Sequence, residues 1–242
     1  MGTLAGMSDL SSDFTGAWER FQRLDEVRLL EETQEWEWTR GRTDYLAFLI
    51  TAGDRATRDY ISRTIERIEG IPGIDPYPEH YWHITIKGVG FLMESPAEPD
   101  EVSAAGADGL AEAARPVIEE VAPFDVRAGP VSAFPEVVIL EVHDGGQVRA
   151  LNTSLLERVP GLMRSPIDGR VFLPHISIAR FSSNDGLRQL KEALASLREA
   201  EPEGRDGRAE PSFRVTEARL IRAHLAKEIP AFELLAEYAL RG

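Results

Sequence analysis

The chain contains no cysteine, which removes disulfides, thiolate nucleophiles and cysteine metal sites together. Lysine is almost as scarce: of 27 basic residues only Lys87, Lys191 and Lys227 are lysines. That bias points to genomic composition and carries no functional inference. No apolar run approaches the ~18 residues a membrane helix needs, and the N-terminus lacks a basic segment followed by an apolar one. "MGTLAG" places Gly6 where a myristoylation signal requires Ser or Thr. These absences lead to the expectation of a soluble cytoplasmic protein with no membrane partner. Positive charge is also short. A net charge of −14 opposes binding to long duplex nucleic acid, but leaves room for a small phosphate-bearing ligand held by local groups.

What is present is an ordinary globular composition, 43% hydrophobic and 28% charged over 242 residues, enough for one large domain or two lobes. Residues 1–42 are acidic and carry Trp18, Trp36 and Trp38. They are expected to form a helical extension, with Ser12 or Asp13 as N-cap, packed on its own domain or serving as a dimerisation arm. The domain proper is expected over residues 43–242. "YLAFLIT" has strand length, Asp54 can cap a helix carrying Ile61, Ile65 and Ile68, and a Pro/Gly-rich loop leads into "YWHITIKGVGFL". A Pro/Glu-rich linker over residues 94–101 precedes a helix near 104–121, which Pro116 should kink or restart. The hairpin pair "FDVRAGPVSAF" and "EVVILEVHD" comes next, then a helix carrying Val148, Leu151, Leu155 and Val159, then the strand "RVFLPHISIARF". A helix opening at Asn184 or Asp185, a charged loop and two strands near 213–222 and 232–240 close the chain. Strands and helices thus fall into two comparable groups.

Each group contains one strand with the same polar pair. His83-Ile-Thr85 recurs as His175-Ile-Ser177, 92 positions later (175 − 83), in a chain with only five histidines. Strand side chains alternate faces, so His83, Thr85 and Lys87 share one side, as do His175 and Ser177, while the isoleucines take the other. If the two strands are neighbours, two imidazoles and two hydroxyls line one groove. A neutral imidazole can deprotonate a water or hydroxyl while a protonated one donates to a departing oxygen, and the ordinary pKa of about 6.5 makes both forms available near neutrality. Thr85 and Ser177 can donate to non-bridging phosphate oxygens, Lys87 can add charge, and Tyr81 can stack on a base. One such pair is commonplace in strands; two with matching apolar flanks are not. Other features carry less. His80 and His83 have helical rather than strand ligand spacing, and Gly88 and Gly90 open no helix, so neither a metal pair nor a dinucleotide loop follows. His143 and His224 fall at turns.

Two H-x-(T/S)-x motifs with hydrophobic x, here "HITI" and "HISI", resemble the two-histidine (2H) phosphoesterase superfamily, with its 2′-5′ RNA ligase-like proteins and 2′,3′-cyclic phosphodiesterases. The resemblance spans about residues 44–240. It implies a bilobal α/β (α+β type) fold, two pseudo-symmetric lobes with largely antiparallel sheets around a central cleft. It also implies metal-independent phosphodiesterase chemistry needing no cofactor, on a nucleotide or short RNA end carrying a cyclic or 2′-5′ phosphate. His83 and His175 would be the catalytic acid/base pair in either assignment, and Thr85 and Ser177 the phosphate binders. "HISIAR" resembles the pattern in which an arginine follows the second motif, which nominates Arg180, although its parity lets it reach the groove only past a bulge or the strand end. A non-catalytic nucleotide-binding module on the same fold and an RNA 2′-5′ ligase remain the alternatives.

Overall fold

The computed structural model describes residues 10–29, 38–200, 210–226 and 229–242. The five helices among them are α1 (Leu10–Gln22), α2 (Arg55–Ile68), α3 (Ala104–Glu119), α4 (Gln147–Arg158) and α5 (Leu187–Ala200). The ten strands are β1 (Asp44–Thr51), β2 (Ile74–Pro76), β3 (His83–Leu92), β4 (Glu101–Val102), β5 (Phe124–Phe134), β6 (Val137–His143), β7 (His175–Phe181), β8 (Ser212–Val215), β9 (Glu217–His224) and β10 (Ala231–Ala239). Trp36 and Lys227 lie outside the described residues.

The strands join in the order β10-β9-β1-β3-β7-β6-β5-β8, every step antiparallel. The sheet nevertheless behaves as two halves. β3 and β7 are paired only at Ile84↔Ile176, after which β7 turns to β2 (Ala179↔Pro76 to Phe181↔Ile74). Helices α3 and α4 cover β10 and β3 of the first half, whereas α2 and α5 cover β7, β8 and β5 of the second. The motif isoleucines 84, 86, 176 and 178 all enter the core beneath these helices, fully buried. The faces opposite the helices line a cleft.

Local chemistry accounts for the elements. Asp54 accepts from Thr57 N at 2.8 Å and Ser103 from Gly106 N at 3.1 Å, capping α2 and α3. α3 runs through Pro116 as one helix, so the proline marks no new start. The proline and Glu112, whose carbonyl loses its partner, are both on the exposed side, where the bond lost is at the surface. The strand expected near 213–222 is two strands. β8 joins β5 and β9 joins β1, so the chain passes from one half-sheet to the other at Thr216.

The described parts of residues 1–42, residues 10–29 and 38–42, pack on the rest of the chain. α1 begins at Leu10, which puts Asp13 in its first turn, where a carboxylate suits the helix dipole, and not at the cap. Phe14, Ala17 and Phe21, at helical spacing, are buried against the second half-sheet. Trp38 sits 4.8 Å from Tyr45 and 5.0 Å from Phe91 on the first. Apolar side chains at both ends of the extension are thus taken up within the chain, and they give a dimer through residues 1–42 no support.

Candidate active site

The single Ile84↔Ile176 bridge fixes the centre of the cleft. Carried one residue each way in the antiparallel sense, it sets His83 opposite Ser177 (83 + 177 = 84 + 176) and Thr85 opposite His175. All four are half-buried on the face away from the core isoleucines. They form a square with the histidines on one diagonal, about 7 Å apart at Cβ.

Each imidazole is held in the same way. His83 Nδ1–H donates to the Tyr81 carbonyl at 2.5 Å and His175 Nδ1–H to the Leu173 carbonyl at 2.8 Å. A carbonyl only accepts, so the proton is on Nδ1 in both and Nε2 faces the cleft. A phenylalanine stands edge-on to each ring: Phe232 at 5.1 Å and 83° to His83, Phe134 at 5.0 Å and 89° to His175. Short 3-10 turns, Glu79–Tyr81 and Gly169–Val171, lead into both strands. Desolvation pushes the His83 imidazole down to about 4, with the nearby His175 adding to the effect, and it lowers His175 as well. Both rings are therefore held neutral at neutral pH.

β-Bulges decide where the basic residues go. In β3, Leu49 pairs with Thr85 and Phe48 with Lys87, which leaves Ile86 extra. In β7, Ile139 pairs with Ser177 and Val138 with Ala179, which leaves Ile178 extra. Both bulges lie three residues after the histidine, and each reverses side-chain parity beyond it. Lys87 consequently turns away from Thr85 to the core face. The expectation that it binds phosphate is corrected by this geometry: its side chain has no exposure, and Nζ lies 2.9 Å from Asp168. Asp168 also accepts from Asn152 Nδ2 and Ser165 N, while Asn152 donates to the Ile86 carbonyl at the bulge. Arg180 shows the reverse outcome. The bulge brings it to the cleft face, one-tenth exposed, with Nε 3.7 Å from Asp75 and its charge acting on Tyr77 and Tyr81.

Tyr81 is also corrected. It belongs to a 3-10 turn, not the strand. Its ring is stacked on Tyr77 at 4.1 Å and flanked by Phe232 at 5.4 Å, so its neighbours are protein rings, and it buttresses His83 instead of receiving a base. His80 is exposed, and His224 pairs with Asp44 at 2.8 Å. The sequence reading did not single out Phe134, Phe232 or Glu141. Glu141 lies opposite His175 on β6, buried, and accepts from Arg198 at 2.7 Å and His143 Nε2 at 3.1 Å. An acid alternating with a histidine in the apolar run "VVILEVH" was its signal.

The family model of the 2′-5′ RNA ligase superfamily matches residues 57–227, more than two thirds of the chain and both motifs. The chain belongs to that superfamily. Solved structures share its fold at low identity. Escherichia coli LigT complexed with 3′-AMP is 18% identical with a TM-score of 0.59, over 83% of this chain and 99% of that one. A Thermus thermophilus protein is 19% identical with a TM-score of 0.52, over 82% and 98%. An Agrobacterium tumefaciens protein is 14% identical with a TM-score of 0.55, over 83% and 87%. LigT structures also contain ATP, NADP+ or phosphate. None of the curated proteins compared with the chain matches it. Within the superfamily frame, α1 precedes the matched segment altogether.

Proposed function

We infer that this superfamily member is a phosphodiesterase acting on a 2′,3′-cyclic phosphate or 2′-5′ phosphodiester of a nucleotide or short RNA end. The observation that carries the reading is the matched pair of Nδ1-anchored imidazoles, each offering Nε2 to one cleft beside a hydroxyl.

Burial holds both rings neutral in the free protein. A phosphate anion between them favours imidazolium, so the ligand enters with the proton the reaction needs. One Nε2 then takes the proton of a water as its oxygen bonds to phosphorus. The P–O bond on the opposite side breaks, and the second ring's Nε2–H passes its proton to the leaving oxygen. The rings exchange protonation states when the direction reverses, which leaves acid and base unassigned. Thr85 and Ser177 donate to the non-bridging oxygens, and Arg180 adds charge from the rim. Nucleotides bound by LigT support a ligand of that kind in this cleft.

The test is product analysis with EDTA on a 2′,3′-cyclic mononucleotide, a 2′-5′ dinucleotide and RNA with a cyclic end. Turnover of the small substrates is expected, falling roughly 10²–10⁴-fold in His83→Ala and in His175→Ala. The double variant should lose far less than the product of the two. Turnover that survives loss of either histidine, or tight binding of all three with no product, ends this reading.

A further inference from the structure

The first turn of helix α1 meets the cleft face of the second half-sheet, while Phe21 near its other end joins the main core. Phe14, fully buried, forms a cluster with Ile139, and Phe134, Val137 and Leu173 pack against that cluster. Two of these neighbours also hold His175: Phe134 stands edge-on to its ring, and the Leu173 carbonyl receives its Nδ1–H. A polar path reaches the same place. Asp13 Oδ2 accepts from Arg149 at 2.8 Å, and Arg149 Nε donates to the Phe172 carbonyl at 2.8 Å, the residue before Leu173. The far end of the helix is anchored by the Lys191 ammonium, which donates to the carbonyls of Gln22 and Leu24. His83 is held by Tyr81 and Phe232, on other elements.

We propose that α1 is a positioning element for His175. By fixing Phe134 and residues 172–174, it keeps Nδ1–H on the Leu173 carbonyl and Nε2 toward the cleft. The geometry stands by itself; the effect on turnover rests on the acid–base reading above. A misplacement of about 1 Å costs on the order of 10²-fold in rate, so a slackened ring registers in turnover before it registers in binding.

The experiment uses full-length protein labelled with 15N-histidine. Imidazole NMR assigns tautomers in the wild type and in Asp13→Asn, Phe14→Ala and Phe14→Leu. In wild type both His83 and His175 should show the proton on Nδ1. Asp13→Asn and Phe14→Ala should move the His175 signals toward a mixture of tautomers and leave those of His83 in place. kcat should fall about tenfold or more with KM changed less than about twofold, and Phe14→Leu should restore most of both. Should Phe14→Ala fail to fold, Asp13→Asn, a partly exposed carboxylate, decides alone. Unmoved His175 signals, or His83 signals that move equally, overturn the proposal. If His175→Ala keeps full turnover, the acid–base reading fails, while the tautomer measurement still decides what α1 does.

Discussion

The two motif strands are nearly copies up to the bulge and differ immediately after it. Histidine, anchoring carbonyl two residues back, edge-on phenylalanine, hydroxyl and extra isoleucine coincide in β3 and β7. Beyond the bulge, Lys87 corresponds to Ala179 and Gly88 to Arg180. The first half thus buries its cation and the second presents one. Nothing larger fits at Gly88, where a Cβ would collide with the Tyr45 hydroxyl. In-line phosphoryl chemistry needs two matched proton carriers but no matched charge on both sides. On the acid–base reading proposed above, symmetry is kept where protons would move and abandoned where charge is placed.

Exchanging roles between Lys87 and Arg180 is the most severe way to break this comparison. Lys87→Ala leaves Asp168 buried without its cation, though still hydrogen-bonded by Asn152 and Ser165. Loss of a buried partner costs about 3 kcal/mol, or roughly 6–12 °C in Tm for a domain of this size. Arg180→Ala removes a cation whose partner Asp75 is half-exposed and stays hydrated without it, so its Tm should fall less than that of Lys87→Ala while KM for phosphate substrates rises. Calorimetry and kinetics on the two variants check this. A Lys87 variant that raises KM at unchanged Tm would return it to the cleft.

The hydroxyls test symmetry directly. Thr85→Ala and Ser177→Ala each remove one hydrogen bond to a charged phosphate, worth about 1.5–3 kcal/mol, or about 10–150-fold in kcat/KM. The square around Ile84↔Ile176 makes the two losses equal. A pair of rate constants differing tenfold or more would show that the substrate sits in one half.

Much of this was legible because it obeys strand parity. Both histidines, both hydroxyls, and the isoleucines behind them follow period two as far as residue three of each motif. The bulge then inserts a residue, and no residue type announces it. In β7 Arg180 is nominated by the resemblance of "HISIAR" to the family pattern, on condition of a bulge or the strand end, and the bulge at Ile178 meets that condition. In β3 the shifted residue is Lys87, whose charge argued for the cleft when its partner, Asp168, is 81 positions away (168 − 87). β8 and β9 read as one strand because the crossover at Thr216 carries no Gly or Pro. A helix in the extension is expected from Ser12 or Asp13 as its cap, yet its packing depends on Ile139 and Arg149, remote partners that sequence spacing does not reveal.

Titration sharpens the comparison further. Burial lowers both imidazoles, His83 to about 4. The kcat/KM profile reports the free enzyme, so the limb that requires imidazolium falls as pH rises through a value below 6.5. Saturating substrate places an anion between the rings and raises both, so the kcat optimum should lie at higher pH than that of kcat/KM. Coincident optima, measured on one cyclic substrate, would remove the desolvated pair from the account.

The smallest effect concerns the edge-on rings. Phe232 and Phe134 meet the two imidazoles at nearly the same distance and angle, and such contacts are worth about 0.5–1.5 kcal/mol beyond area. Leucine keeps most of the apolar volume but removes the ring edge, so Phe232→Leu and Phe134→Leu should each lower kcat by up to about tenfold. Their surroundings differ, however. Phe232 leans on Tyr81, which is stacked on Tyr77, whereas Phe134 belongs to the cluster sealed by Phe14 of α1. Loss of Phe134 should therefore also loosen α1, seen as faster amide exchange across residues 13–22, while loss of Phe232 leaves that helix protected. Equal exchange in the two variants would mean that the phenylalanines merely fill space, and that the resemblance between the two histidine environments ends at the hydrogen bond to the carbonyl.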